Sequence, residues 1–294
     1  MNGVLLINKP KGMTSHDVIY KVRRRLGTKR VGHTGTLDPD VTGLLVVVVG
    51  QATKLTEILQ QREKGYEARV TLGVSTETED ASGTVTSTST VDHVTVEAID
   101  QVVQSFDGPY EQMVPLYSSV KVNGWKLYEY ARNNLPVERP IKTVHIHSIE
   151  RTSKVELNDE QLSFNIDVRC SKGTYIRTLA VDIGKKLGVD AHLSSLVRTM
   201  SCGFHIDDAV TLEEMSADDI IPIGTFLTDD PIVDLAEHEA LLFKVRNGQK
   251  VSLQEVRDLV PHGASRVLFK NQGVPIGIYQ LQDETYRTFK MFNL

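Results

Sequence analysis

The six residues Leu44–Val49, LLVVVV, are apolar at every position. Successive side chains of a strand point to opposite faces, so a strand wet on one side alternates polar and apolar, whereas one with no polar position is covered on both. The chain must therefore build a sheet with material packed on each side at this point. Its 294 residues, 40% of them hydrophobic, are enough for one large domain or two unequal ones. Directly ahead of the run stands a loop of opposite character, GHTGTLDPDVTG, Gly32–Gly43, with three glycines, a histidine and two aspartates. Gly32 and Gly35 allow close backbone approach and Pro39 stiffens the chain after Asp38, so a rigid strand could present one carboxylate at the floor of a cleft.

The remaining pattern predicts an α+β fold. Val4–Ile7 is a short strand ended by Lys-Pro and Lys-Gly. A helix capped by Thr14 or Ser15 follows, with Val18, Ile19 and Val22 on its apolar side, and Gly27 closes it. Residues 51–60 suit a short helix, 66–72 a half-buried strand, and 73–92 a polar loop or hairpin. A helix runs from Thr95 or Val96 to Phe106 and stops at Gly108-Pro109. Residues 143–150 and 162–170 alternate like paired strands, and 175–187 form a helix ended by Gly188. Beyond Thr228 the chain breaks into short strand-like pieces, which predicts a compact, mainly β appendage. Consecutive strands often lack an intervening helix, so a mixed or antiparallel sheet fits better than a doubly wound one.

Charge is uneven. The net value of −5 hides +6 over residues 1–72, −8 over 73–112, +4 over 113–206 and −7 over 207–294. Two basic blocks flank an acidic one. Folding could join them as a face for phosphates, or each could be an ordinary solvated surface. Between regular regions, residues 113–142 contain an Asn123-Gly124 turn and a basic, aromatic helix with Trp125, Tyr128 and Arg132. Such an arm could grip nucleic acid through stacking and phosphate contacts, or pack its aromatics inward. No apolar stretch approaches the ~20 residues that cross a bilayer, so a soluble cytoplasmic protein without a membrane partner is the expectation. Cys170 and Cys202 lie in strand-like settings without CxxC spacing and read as reduced structural residues. His145 and His147 share a strand face but lack further ligands at metal spacing, so no metal site is expected.

Three chemistries compete for the glycine-rich loop. Asp-Pro-Asp and Thr-Gly form plain turns. A phosphate loop would need GxxxxGK[ST], which is absent. Asp38-Pro-Asp40-Val-Thr42 matches the aspartyl-phosphate pattern DxDx[TV] literally, but the apolar strand that should precede its first aspartate follows it here. A second cluster, CSKGTYIRTLAVDIGKKLG from Cys170, opens a helix with Tyr175 and Arg177 in its first turns. An arginine aimed at a partly buried aspartate would keep it ionised and oriented for attack on an electrophilic carbon.

Together these stretches resemble the tRNA pseudouridine synthases of the TruB type. INKPKGMTSHDV, GHTGTLDPDVTGLL, KGYEARVTLG, ETEDASG, YSSVKVNGWKLYEYAR and CSKGTYIRTLAVDIG occur in that family's order across roughly residues 3–205. The resemblance implies a pseudouridine-synthase-like catalytic domain over residues 1–228, with the arm 113–142 inserted. It also implies a PUA-like RNA-binding domain over 229–294, where Val274–Gly277 fits a late strand although the usual closing Pro-Arg is missing. The implied reaction converts a uridine in the T arm of tRNA, by convention position 55, to pseudouridine with no cofactor. By the same resemblance Asp38 is the catalytic aspartate and His33 occupies the stack vacated by a flipped base. Tyr66 lies on the uracil face, Tyr175 and Leu196 line the pocket, and Arg177 pairs with Asp38. Arg23, Arg24, Lys121 and Arg132 are implied backbone contacts, and the enzyme is expected to act as a monomer without an obligatory protein partner. A noncatalytic tRNA-binding or RNA-folding module would use the same arm and tail.

Overall fold

The computed structural model describes residues 1–227 and 229–293, so the expected domain boundary at Thr228 falls outside the described residues. In chain order the first part comprises β1 (Gly3–Lys9), α1 (Ser15–Leu26), β2 (Val31–His33), β3 (Thr42–Val49), α2 (Thr56–Gln60) and β4 (Lys64–Leu72). A hairpin, β5 (Val74–Thr76) and β6 (Val85–Thr88), leads to α3 (Val96–Gln104) and β7 (Gly108–Met113). The arm holds β8 (Lys121–Val122), β9 (Trp125–Lys126) and α4 (Leu127–Arg132). Then come β10 (Ile141–Arg151), β11 (Glu156–Asn158), β12 (Gln161–Cys170), α5 (Ile176–Leu187), β13 (Ala191–Ser201), β14 (Phe204–His205), β15 (Ile221–Pro222) and α6 (Ile223–Phe226).

One sheet organises this part, with the order β15-β1-β3-β13-β4-β12-β10-β7 and three short strands on its flanks. Its pairings are antiparallel except where β13 meets β3, at Val197↔Thr42 and Arg198↔Gly43. The apolar run behaves as its composition demands. Leu44, Val46 and Val48 enter one core with Val4, Leu6, Leu55 and Leu59. Leu45, Val47 and Val49 enter another with Val18, Ile19 and Val22 of α1. On β4, Tyr66, Ala68, Val70 and Leu72 pack with α3 and α5 in a third core.

Residues 51–60 are not one helix. Gly50–Leu55 is a 3₁₀ turn that passes into α2, because Thr53 and Thr56 hydroxyls donate to the carbonyls three residues back, Gly50 and Thr53, each at 2.8 Å. Cys202 is likewise not in a strand. With φ +60°, followed by Gly203 at +84°, it makes the two-residue turn joining β13 to β14.

The tail is a five-stranded sheet, β16 (Ile232–Asp234), β17 (Val251–Ser252), β18 (Arg266–Asn271), β19 (Val274–Gln282) and β20 (Thr285–Met291), in the order β16-β18-β19-β20-β17. It also carries two short helices, α7 (Glu239–Arg246) and α8 (Leu253–Val256), that its broken-up sequence did not announce. Leu268, Ile278 and Phe292 share a core with β1 and β3, so the tail is packed onto the large sheet. Polar contacts join them too. Arg62 pairs with Asp229 at 2.5 Å, and Lys54 donates to the Met291 carbonyl at 2.8 Å.

Candidate active site

The loop between β2 and β3 is fixed by side chains from three directions. Below it, Lys9 is fully buried, and its ammonium donates to the carbonyls of Pro10, Met13 and Pro39 at 3.0, 2.6 and 3.1 Å. From α1, the Ser15 hydroxyl accepts from the Leu37 N–H at 2.9 Å and donates to the Leu37 carbonyl at 3.2 Å. That serine is placed by a capping box in which Thr14 and Asp17 satisfy each other's backbone N–H groups. The third support is Arg198 of β13, described below. Steric need for glycine falls mainly on Gly43. Its φ is +103° and an added Cβ would stand 2.4 Å from the Arg198 carbonyl oxygen, whereas Gly32 and Gly35 have room for ordinary contacts.

Asp38 sits at the crest of this loop with its side chain 53% exposed, so it is not the partly buried group the sequence suggested. The arginine beside it is the buried partner. Arg177, in the first turn of α5 and only 11% exposed, lies 3.5 Å from the Asp38 carboxylate and 3.6 Å from Asp80. It is aimed by two further bonds, to the Thr78 and Tyr117 carbonyls at 3.0 Å each. The start of α5 is itself held from β7. The Gln112 amide accepts from the Tyr175 N–H at 2.8 Å and donates to the Tyr175 carbonyl at 2.9 Å, closing a two-bond bridge to the residue that caps the helix.

These groups open onto a cavity of about 1040 Å³. Asp38, Tyr66, Tyr175, Arg177 and Leu196 all line it, as does Arg132 from the arm. The fold thus brings residues from the β2–β3 loop, β4, α5 and β13 to one cavity. Burial raises the phenol pKa values of Tyr66 and Tyr175 above the ordinary tyrosine value, so both remain neutral hydrogen-bonding rings at neutral pH. His33 is not among the lining residues. Its ring stands edge-on to His16 with centroids 5.9 Å apart, its Nδ1 is buried without a hydrogen-bond partner, and burial followed by the His16 charge lowers its pKa.

The basic residues divide. Arg24 and Lys121 are exposed, while Arg23 donates to the Val31 carbonyl at 2.9 Å and so helps to hold β2. In the arm Leu127 is buried, whereas Trp125 is 52% exposed and projects from the β8–β9 hairpin. Arg132 and Lys126 both lie 5.3 Å from the Tyr128 ring centre. Sequence reasoning missed Asp80, Lys9, Gln112 and Arg198. The −8 block of residues 73–112 signalled Asp80, since so acidic a segment between basic ones needs a cationic partner. The other three carry no such mark. Among the described residues no group of three or more His, Cys, Asp or Glu could hold a metal, and no helix is long and apolar enough to cross a membrane.

With this geometry in place, family comparison decides the relationship. The model of the TruB family pseudouridylate synthase N-terminal domain matches residues 23–176, more than half of the chain, and that of the tRNA pseudouridylate synthase B C-terminal domain matches residues 177–221. The chain belongs to the TruB family. Curated TruB relatives include the tRNA pseudouridine synthase B of Streptococcus sanguinis, 44% identical over 99% of this chain and 100% of that protein. The Bacillus subtilis protein of the same name is 44% identical over 95% and 93%, and that of Geobacillus thermodenitrificans 50% over 86% of each. Among solved structures, the Cbf5-Nop10-Gar1 complex contains a chain similar in fold, with a TM-score of 0.71, 24% identity, and coverage of 98% of this chain and 84% of that one. The TruB C-terminal match ends at residue 221, before the five-stranded tail begins.

Proposed function

We propose that the protein isomerises uridine 55 in the T arm of tRNA to pseudouridine, with Asp38 as the reacting carboxylate. The observation that carries this reading is the Asp38–Arg177 ion pair opening onto a cavity also lined by Tyr66, Tyr175 and Leu196. Its named relatives are tRNA pseudouridine synthases.

The reaction breaks the bond from ribose C1′ to N1, turns the uracil and rejoins it through C5. C5 loses a proton, N1 gains one, and composition and oxidation state are unchanged. The chemistry therefore has no step that calls for a redox or hydrolytic cofactor. An ionised carboxylate could add to uracil C6, attack C1′, or remove a ribose proton to give a glycal, and the exposed Asp38 is accessible for each. Arg177, 3.5 Å away, directs that carboxylate into the cavity. A stacked base cannot reach such a cavity, so the nucleotide flips into it. Tyr66 and Tyr175 supply surfaces to receive it, and stacking worth roughly 1–3 kcal/mol per base offsets part of the unstacking cost. The arm, with Lys121, Arg132 and the aromatic faces of Trp125 and Tyr128, and the basic helix α1 with Arg24 provide phosphate and stacking contacts around it. The tail acts as a PUA-like RNA-binding unit, and the enzyme works as a monomer in the cytoplasm.

The test is incubation of unmodified tRNA transcript with purified protein in EDTA, followed by pseudouridine mapping at nucleotide resolution. Full conversion at nucleotide 55 is expected, lost in Asp38→Asn while tRNA binding is kept. A biological effect that survives Asp38→Asn would instead identify a noncatalytic RNA-binding module. A requirement for Mg²⁺ with a trapped acyl phosphate on Asp38 would identify a phosphotransferase.

A further inference from the structure

Arg198 is 1% exposed, the largest fully buried side chain described, and it takes part in no ion pair among the described residues. A buried charge without a counter-charge is costly unless its donors are satisfied. Its three bonds to backbone all go to the segment around Asp38. Nε donates to the Leu44 carbonyl at 2.8 Å, one terminal nitrogen to Gly35 at 3.1 Å, and the other reaches Thr36 at 3.5 Å. The guanidinium thus grips the chain on both sides of the aspartate. It also stands beside the Tyr66 hydroxyl, on the strand that pairs with its own at Arg198↔Tyr66. Two residues earlier β13 supplies Leu196 to the cavity wall, and opposite Arg198 the chain turns through Gly43.

We propose that Arg198 is a positioning residue for the isomerisation, locking the height and tilt of Asp38 relative to Tyr66 by holding the Gly35, Thr36 and Leu44 carbonyls. This rests on Asp38 being the reacting carboxylate. Arg198 borders the cavity only at its floor, 1% exposed beneath the loop, so it acts on the reacting groups through the chain that it holds. A displacement of the reactive group by an ångström costs on the order of a hundredfold in rate.

The experiment compares Arg198→Lys and Arg198→Met with wild type in single-turnover conversion of saturating tRNA transcript, in tRNA affinity by filter binding, and in thermal unfolding. Lysine keeps the charge but is a single point donor without the planar fork whose Nε and two terminal nitrogens reach carbonyls on both sides of the aspartate, and methionine keeps only bulk. The expected result is a rate constant about a hundredfold lower for Arg198→Met and an intermediate loss for Arg198→Lys, with tRNA Kd within about twofold of wild type. Wild-type single-turnover rate in either folded variant overturns the proposal, as does a loss that tracks only the unfolded fraction. Failure of both variants to fold also overturns it, since Arg198 would then serve stability alone. Failure of the broader reading has a different signature: wild type would modify a uridine outside the T arm, or Asp38→Asn would stay active, whatever the Arg198 variants do.

Discussion

At the residue scale, the aspartate at the site is open to solvent while the cations around it are buried. Lys9, Arg198 and, at 9% exposure, Lys64 lie under or beside the loop, and all three donate to backbone carbonyls. Burial lowers the pKa of both lysines, Lys9 and Lys64, a cost offset by the backbone carbonyls that each ammonium holds. Tyr66→Ala is expected to slow single-turnover conversion far more than it weakens tRNA binding; a pure affinity loss at normal rate would remove the ring from the reacting pocket. Gln112→Leu deletes the bridge to Tyr175 and leaves the Tyr175 N–H unpaired, while the Tyr175 carbonyl keeps only the Leu179 N–H. Denaturant unfolding should show it about 1–3 kcal/mol less stable. His33 gives a pH signature. Its folded pKa lies below the ordinary histidine value of 6.5, so the unfolded chain takes up a proton that the folded chain refuses. Its contribution is therefore complete above pH 6.5 and declines as pH falls from there toward the lowered folded value. Measured from pH 8 to pH 5, the stability of wild type relative to His33→Asn should be level above 6.5 and fall below it.

At the element scale, α1 and β13 act as two clamps on one loop. The capping box at Thr14 fixes the first turn of α1, whose Ser15 holds Leu37. Thr14→Ala should cost about 1 kcal/mol in chemical denaturation. Gly43→Ala is expected to be worse, on the order of 2–3 kcal/mol with loss of activity, because its methyl would strike the backbone of Arg198, which a rigid strand cannot yield. Near-wild-type unfolding of Gly43→Ala would mean that the β3–β13 junction is not tight. These elements differed in legibility. The LLVVVV run announced a doubly covered strand, and the apolar spacing of α1 and α5 announced their buried faces. Arg198 did not declare itself, since an arginine in an alternating strand reads as solvent-facing, and only the fold reveals the carbonyls it meets. For the same reason Trp125 could be read as core or surface until its hairpin was seen to project.

At the scale of the whole molecule, the tail is joined to the large sheet by shared core residues as well as by Arg62–Asp229 and Lys290–Glu57. The composition change after residue 228 suggested a separate unit, but not that the tail would share apolar surface with β1 and β3. Which surfaces meet depends on contacts far apart in sequence. Removal of residues 229–294 should expose Leu55, Leu59 and Phe226 and lower the midpoint of thermal unfolding by several degrees. An unchanged midpoint would show the tail to be energetically separate.

The parallel contact of Thr42 and Gly43 with Val197 and Arg198 ties the Asp38 loop to a strand made much later in synthesis. Closing so long a span is slow and comes late. A nascent chain still lacking β13 can shape α1 and pair β1 with β3, yet its aspartate loop has only the Lys9 and Ser15 supports and not the Arg198 one. On the proposed role of Asp38, the loop therefore gains its full set of supports only when that strand emerges from the ribosome and docks.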